Sequence, residues 1–179
     1  MGATISDPII TLLDSLPKAR NDFFKFRIIL ECACVAETAI NASQAERDEI
    51  SRLHEQLLGA IDKENLEAAS LADVEFHMAI IEASANVVSI QVARSLYDLM
   101  QKGVQKSHEL SKENDEIWRV LARQHDDIND AVQARDGTRA ATAMRQHIEY
   151  QRALSEKHFE DKSREQLVEK RRAWSAQSV

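Results

Sequence analysis

Residues 71–80 read Leu-Ala-Asp-Val-Glu-Phe-His-Met-Ala-Ile, and the fold is decided by how this stretch is read. Its pattern is helical, so Asp73 and His77, four residues apart, project from one face. His77 lies among Val74, Ile80 and Ile81, which turns that face toward a core. The same placement recurs further along. His125 has Leu121 one turn before it and Ile128 and Val132 after it; His147 follows Ala143 and Met144 and precedes Tyr150 and Leu154. One carboxylate and three imidazoles directed into a helical core make a candidate metal site. The alternative is three core histidines, each satisfied by its own hydrogen bond, because a buried imidazole without a partner loses solvation. Three nitrogens and one carboxylate oxygen suit a divalent ion such as zinc or nickel. A six-coordinate ion would keep two further positions, whereas a closed tetrahedral zinc would keep none.

The rest of the chain agrees with helix. Its 179 residues include only four Gly and two Pro, which is too few turn formers for a strand-rich fold. No stretch alternates as a half-buried strand would. The length suits one domain with a substantial core. A short helix is expected after Asp7-Pro8, ended by Pro17. A long helix capped by Asn21 follows, with Phe23, Phe26, Leu30, Ala33 and Cys34 at helical spacing. Ser43 and Glu46 form a capping box for the third helix, which buries Ile50, Leu53, Leu57, Leu58 and Ile61. After the polar turn at 62–65, the fourth helix carries Asp73 and His77 and runs to about Ala85. Asn86 caps a fifth, whose Val88, Val92, Leu96, Leu99 and Met100 predict a central position. Residues 106–114 read as a polar loop. The sixth helix carries His125 and ends at the turn dipeptide Asp136-Gly137. The seventh starts near Thr138, carries His147 and continues past Phe159 as a charged tail.

Net charge is −7, so the chain by itself would be repelled by a phosphate backbone. No apolar run is long enough to span a bilayer, and there is no signal peptide. Cys32 and Cys34 face different directions on one helix, as small core residues in a reducing cytosol do. Arg27 shares a helix face with Phe23, Leu30 and Cys34, and two roles stand open for it. One is an ion pair with Glu31 one turn on; the other is a clamp for a ligand carboxylate, which its planar fork of donors fits. His54 borders the apolar stripe of its helix, while His108 and His158 lie in polar surroundings. His125-Asp126 matches the dipeptide of HD-type metal phosphohydrolases, but Asp126 is expected to face away from the core. Di-iron bundles need Glu-x-x-His on two helices, and none occurs. Neither a Gly-rich phosphate loop nor a Gly-x-Ser-x-Gly elbow is present. Lys170, Arg171, Arg172 and Trp174 read as a solvated helix end.

Several segments taken together resemble a known family. They are residues 24–31 (FKFRIILE), 72–77 (ADVEFH), 80–88 (IIEASANVV), 123–132 (RQHDDINDAV) and 143–147 (AMRQH). In this order they are similar to the FCD domain, the C-terminal ligand-sensing domain of one branch of GntR-family bacterial transcription regulators. Residues 6–17 and 96–107 look closest to the lactate- and pyruvate-responsive members. The resemblance spans roughly residues 21–158. It implies an all-α antiparallel bundle of six or seven helices that forms homodimers in the cytoplasm. It makes Asp73, His77, His125 and His147 the metal ligands, with a small 2-hydroxy or 2-keto carboxylate as effector. It makes Arg27 the effector clamp, with Asn86 near the pocket. The expected layout is a linker and short helix over 1–20, the sensor over 21–159 and a charged tail over 160–179. Members of the family read DNA through an N-terminal winged helix-turn-helix, which these residues do not supply. The chain is therefore expected to be the sensor half of a longer regulator, without catalysis. The rival expectation is a metal-dependent hydrolase on a helical bundle. Against it, Glu75 and Asp126 point elsewhere, leaving no spare general base beside the site.

Overall fold

Pro17 marks the first departure from these expectations. In the computed structural model, which describes residues 6–97, 99, 101 and 115–177, the long helix starts there and not at Asn21. Leu16 supplies the extended N-cap. A proline in the first turn has no N–H to leave unpaired, and its φ already suits a helix. The described residues contain no strand, and seven helices have both ends among them: α1 (Ser6–Ser15), α2 (Pro17–Asn41), α3 (Gln44–Asp62), α4 (Leu66–Ala83), α5 (Val87–Ser95), α6 (Asp115–Gln133) and α7 (Gly137–Gln177). The loop expected at 106–114, with His108, lies outside the described residues.

Local chemistry explains most of the boundaries. Ser43 Oγ accepts from Glu46 N at 3.3 Å while Glu46 Oε2 accepts from Ser43 N at 2.7 Å, which completes the expected capping box. Asn65 caps α4 and Asn86 caps α5 through their side-chain oxygens. Asp136 Oδ1 accepts from Arg139 N at 2.9 Å at the start of α7. Three turns between helices place a left-handed residue at the helix end, namely Glu64 (φ 54°), Ala85 (φ 55°) and Arg135 (φ 57°). The Asp136-Gly137 dipeptide is therefore not where the chain turns: Arg135 takes the left-handed conformation. Gly137 opens α7, and a Cβ added there would lie 2.8 Å from the Ala36 carbonyl oxygen of α2. Glycine is needed at 137 so that α7 can start against α2.

Helix α2 is the axis of the bundle: it lies along α7 and also contacts α4 and α6. α3 pairs with α4 and α6, completing the group that surrounds the site. The main core joins Phe24, Ile28, Val35, Ile50, Phe76, Ile128 and Met144, among others. Phe23, Leu30 and Cys34 instead meet Val74, Met78, Ile81 and Ala93 in a second cluster. Thus α2 buries two faces, and Ala33, expected on the buried stripe, is exposed. The apolar residues expected to be central divide: Leu96 and Leu99, just past the end of α5, are buried, whereas the start of α5 is exposed. Val87 and Val88 are 71% and 73% exposed, because α5 packs through one side onto α4. α7 runs without a break into the expected tail, and its described side chains beyond Phe159 are largely solvent-facing. Cys32 and Cys34 are buried free thiols, and burial pushes the Cys32 thiol up to about 11, out of its reactive range. Among the described residues, no helix is long and apolar enough to cross a membrane.

Candidate metal centre

Three helices bring the four expected side chains to one point. Asp73 and His77 come from consecutive turns of α4, His125 from α6 and His147 from α7. One ligand atom from each lies within 4.8 Å of all the others. All four residues are at most 1% exposed. Asp73 Oδ1 stands 3.6 Å from His77 Nε2, and its Oδ2 stands 3.3 Å from His125 Nε2. The His125 and His147 rings are closest, with centroids 4.3 Å apart.

Each imidazole is held from behind through Nδ1. His77 Nδ1 meets Glu31 Oε2 at 2.6 Å, His125 Nδ1 meets the Leu121 carbonyl oxygen at 2.8 Å, and His147 Nδ1 meets Gln124 Oε1 at 3.3 Å. All three partners are acceptors, so the Nδ1 atoms donate and the Nε2 atoms are left facing the centre. None of these three buried Nε2 atoms has a hydrogen-bond partner. Each histidine thus has its own hydrogen bond, but only at the outward nitrogen. Inward lone pairs converging with a carboxylate would repel one another without a cation. Outward hydrogen bonds that orient the rings are the usual support of a metal-ligating histidine. The donor set therefore fits a divalent ion of the zinc or nickel kind. Burial, then the neighbouring His125 and His77, and more weakly Arg27, hold His147 well below 6.5, with Asp73 opposing. His147 is accordingly a neutral, competent ligand at neutral pH.

Behind the centre runs a chain of buried polar groups. Arg27, 3% exposed, donates from Nε to Glu31 Oε1 at 2.6 Å and from Nη1 to Gln151 Oε1 at 2.9 Å. The ion pair with Glu31 is therefore present, and it links Arg27 to His77. Burial would push the Glu31 carboxyl up, but Arg27 and His77 outweigh it and hold Glu31 down at about 2. The sequence marks Glu31 only as a partner for Arg27, since its contact with His77 crosses from α2 to α4 over 46 residues. Gln124 and Gln151 carry no local signal, because their partners His147 and Arg27 lie on other helices. Asn86 stands apart from this group: exposed, it spends its side-chain oxygen on Val88 N and Ser89 N at the start of α5. His54 is buried with Nε2 3.0 Å from Asp126 Oδ1, so Asp126 is directed at α3 and not at the centre.

Known proteins similar to this chain point to one family. The family model described as the FCD domain matches residues 22–150. A protein of Escherichia coli (strain K12) named as an L-lactate dehydrogenase operon regulator is 30% identical over 160 residues, covering 89% of this chain and 60% of its own. The Glc operon transcriptional activator of the same strain is 31% identical over 147 residues, covering 80% of this chain and 58% of its own. The chain thus spans about 60% of the length of the curated relatives it matches. Among solved structures, Escherichia coli McbR/YncC superposes with a TM-score of 0.70 at 19% identity, over 80% of this chain and 67% of that one. Streptococcus agalactiae GntR does so with a TM-score of 0.60 at 20% identity, over 75% and 58%. These two share the fold. The relatives are named as transcription regulators and not as hydrolases. With a helical bundle and a family match over residues 22–150, the chain belongs to the FCD-domain family, and its curated relatives are named as transcription regulators.

Proposed function

We propose that this domain holds one divalent metal ion on Asp73, His77, His125 and His147 and senses a small 2-hydroxy or 2-keto carboxylate beside it. The observation that carries this reading is the convergence of three buried Nε2 atoms that lack hydrogen-bond partners while every Nδ1 is engaged. A divalent cation at that point would supply a Lewis-acidic anchor for a carboxylate oxygen. Arg27 supplies the complementary charge from the same buried region. Glu31 and Gln151 pre-orient its guanidinium, and the bonds to them use only part of its five N–H donors. The choice of a lactate-like acid is supported by the name of the relative from the L-lactate dehydrogenase operon.

The ligand would act by favouring one arrangement of α2 against α7, since Arg27 and Gln151 tie these helices together. α1 and the start of α2 would carry the change toward a winged helix-turn-helix supplied elsewhere in the full regulator, working as a homodimer in the cytoplasm. Only a difference in ligand affinity between two states can drive such a shift, and about 1–3 kcal/mol of coupling is typical. Arg27→Lys keeps the charge and loses the fork, and tests the clamp. L-Lactate affinity of the metal-loaded variant should fall about tenfold or more while metal stoichiometry stays at wild type. Equal affinity would remove Arg27 from the effector site.

A further inference from the structure

Gln151 is fully buried, and only half of its carboxamide is used. Its Oε1 accepts from Arg27 Nη1, whereas its Nε2 is buried and makes no hydrogen bond. An apolar side chain of the same shape would avoid the penalty of a buried donor without an acceptor. The orientation of the amide is set by chemistry: the guanidinium offers only donors, so Oε1 must face it and the NH2 group must point elsewhere. Position 151 lies one turn after His147 on α7, and helical side chains lean toward the N-terminus, which tilts Gln151 back over His147. Arg27 occupies the matching level of α2, one turn before Glu31, the residue that holds His77.

One turn further out, the same two helices border a surface groove of about 750 Å³, lined by Asn21, Phe24, Ser155, Glu156 and Phe159 among others. Phe24 is three residues before Arg27, and Ser155 is four after Gln151. Helical register therefore sets the Arg27–Gln151 pair between this groove and the four metal-ligating side chains.

We propose that Gln151 is an effector-reading residue: its Nε2 donates to an oxygen of a small carboxylate that reaches the centre from the groove between α2 and α7. This rests on the carboxylate-sensing reading above and adds a residue and a route to it. A neutral amide donor beside a guanidinium selects for ligands presenting acceptors on both sides, as a 2-hydroxy or 2-keto acid does, and against an ammonium group.

The test titrates L-lactate and pyruvate calorimetrically into the metal-loaded wild type, Gln151→Met and Gln151→Glu. Metal affinity is followed in each by chelator competition, and folding by thermal melting. Gln151→Met should lose about tenfold in carboxylate affinity, the worth of one hydrogen bond to a charged acceptor. Gln151→Glu should lose more, by charge repulsion. Metal affinity should move less than about threefold in both, since position 151 is not a ligand. Should Gln151→Met fail to fold, Gln151→Glu carries the test, being nearly isosteric and still able to accept from Arg27. Wild-type affinity in the folded variants would overturn the role of Gln151 while leaving carboxylate sensing intact. If the metal-loaded wild type binds neither acid, the sensing reading falls, and this inference with it.

Discussion

His77, His125 and His147 each present one nitrogen held by a hydrogen bond and one that is buried without such a partner, and on the proposed reading each has consequences at its own position. Asp73→Asn removes the only carboxylate of the four converging side chains with little change of shape. Metal affinity measured by chelator competition should fall more than about 100-fold, beyond what loss of a supporting hydrogen bond produces. Glu31→Gln should weaken the metal by about 10–100-fold through His77, without touching the ion itself. The metal-free protein should also lose stability in mild acid, for a reason whose sign is definite. Burial leads in holding both His147 and His54 below 6.5, so the unfolded chain takes up protons near pH 6.5 that the folded chain refuses. The unfolded state then binds more protons, and stability falls as pH drops below about 6.5 and keeps falling toward the folded-state values. Urea midpoints measured between pH 7.5 and 5 should decrease steadily; a flat profile would show that these rings protonate freely in the folded chain. At this scale the convergence of Asp73, His77, His125 and His147 was legible in the sequence, because Asp73–His77 spacing and apolar neighbours are local facts. Glu31, Gln124 and Gln151 were not, since each acquires its role from another helix.

Helix ends were legible wherever a side chain closes on its own backbone, as Ser43 with Glu46 and Asn86 with Val88 and Ser89 show. Burial of a helix face was less so. Val88 is 73% exposed while Leu96 and Leu99 of the same apolar run are buried, because neighbours and not composition decide burial. The turns also divide glycine's two uses between different residues. Arg135 takes the left-handed conformation, and Gly137 makes the close approach to Ala36. Glu64→Gly or Arg135→Gly should therefore stabilise by about 0.5–1 kcal/mol, the left-handed strain relieved less the added freedom of the unfolded chain. Gly137→Ala should destabilise by about 1–3 kcal/mol, because its new methyl group meets a backbone oxygen. Urea unfolding with an unchanged slope would measure both. Stabilisation by Gly137→Ala would mean that α7 can draw back from α2 freely.

Across the whole molecule, scarcity of turn formers and the helical placement of charged and apolar residues were enough to anticipate an all-α bundle. The way its helices assemble around a polar centre was not visible locally. That centre gathers side chains from α4, α6 and α7 and reaches α2 through Glu31. Metal should accordingly stabilise the entire bundle. At about 1,000 times its dissociation constant it adds about 4 kcal/mol, a rise on the order of 10 °C in melting temperature for a chain of this size. A chelator should reverse that rise.

The sensing claim itself is tested most directly by calorimetric titration of the metal-loaded chain with L-lactate, pyruvate, glycolate and citrate, repeated after chelation. Saturable binding of at least one acid, abolished when the metal is removed and restored when it is returned, is the predicted result. Carboxylate binding that persists without metal, or no binding to any of the four in protein of confirmed metal content, would contradict a metal-anchored sensor.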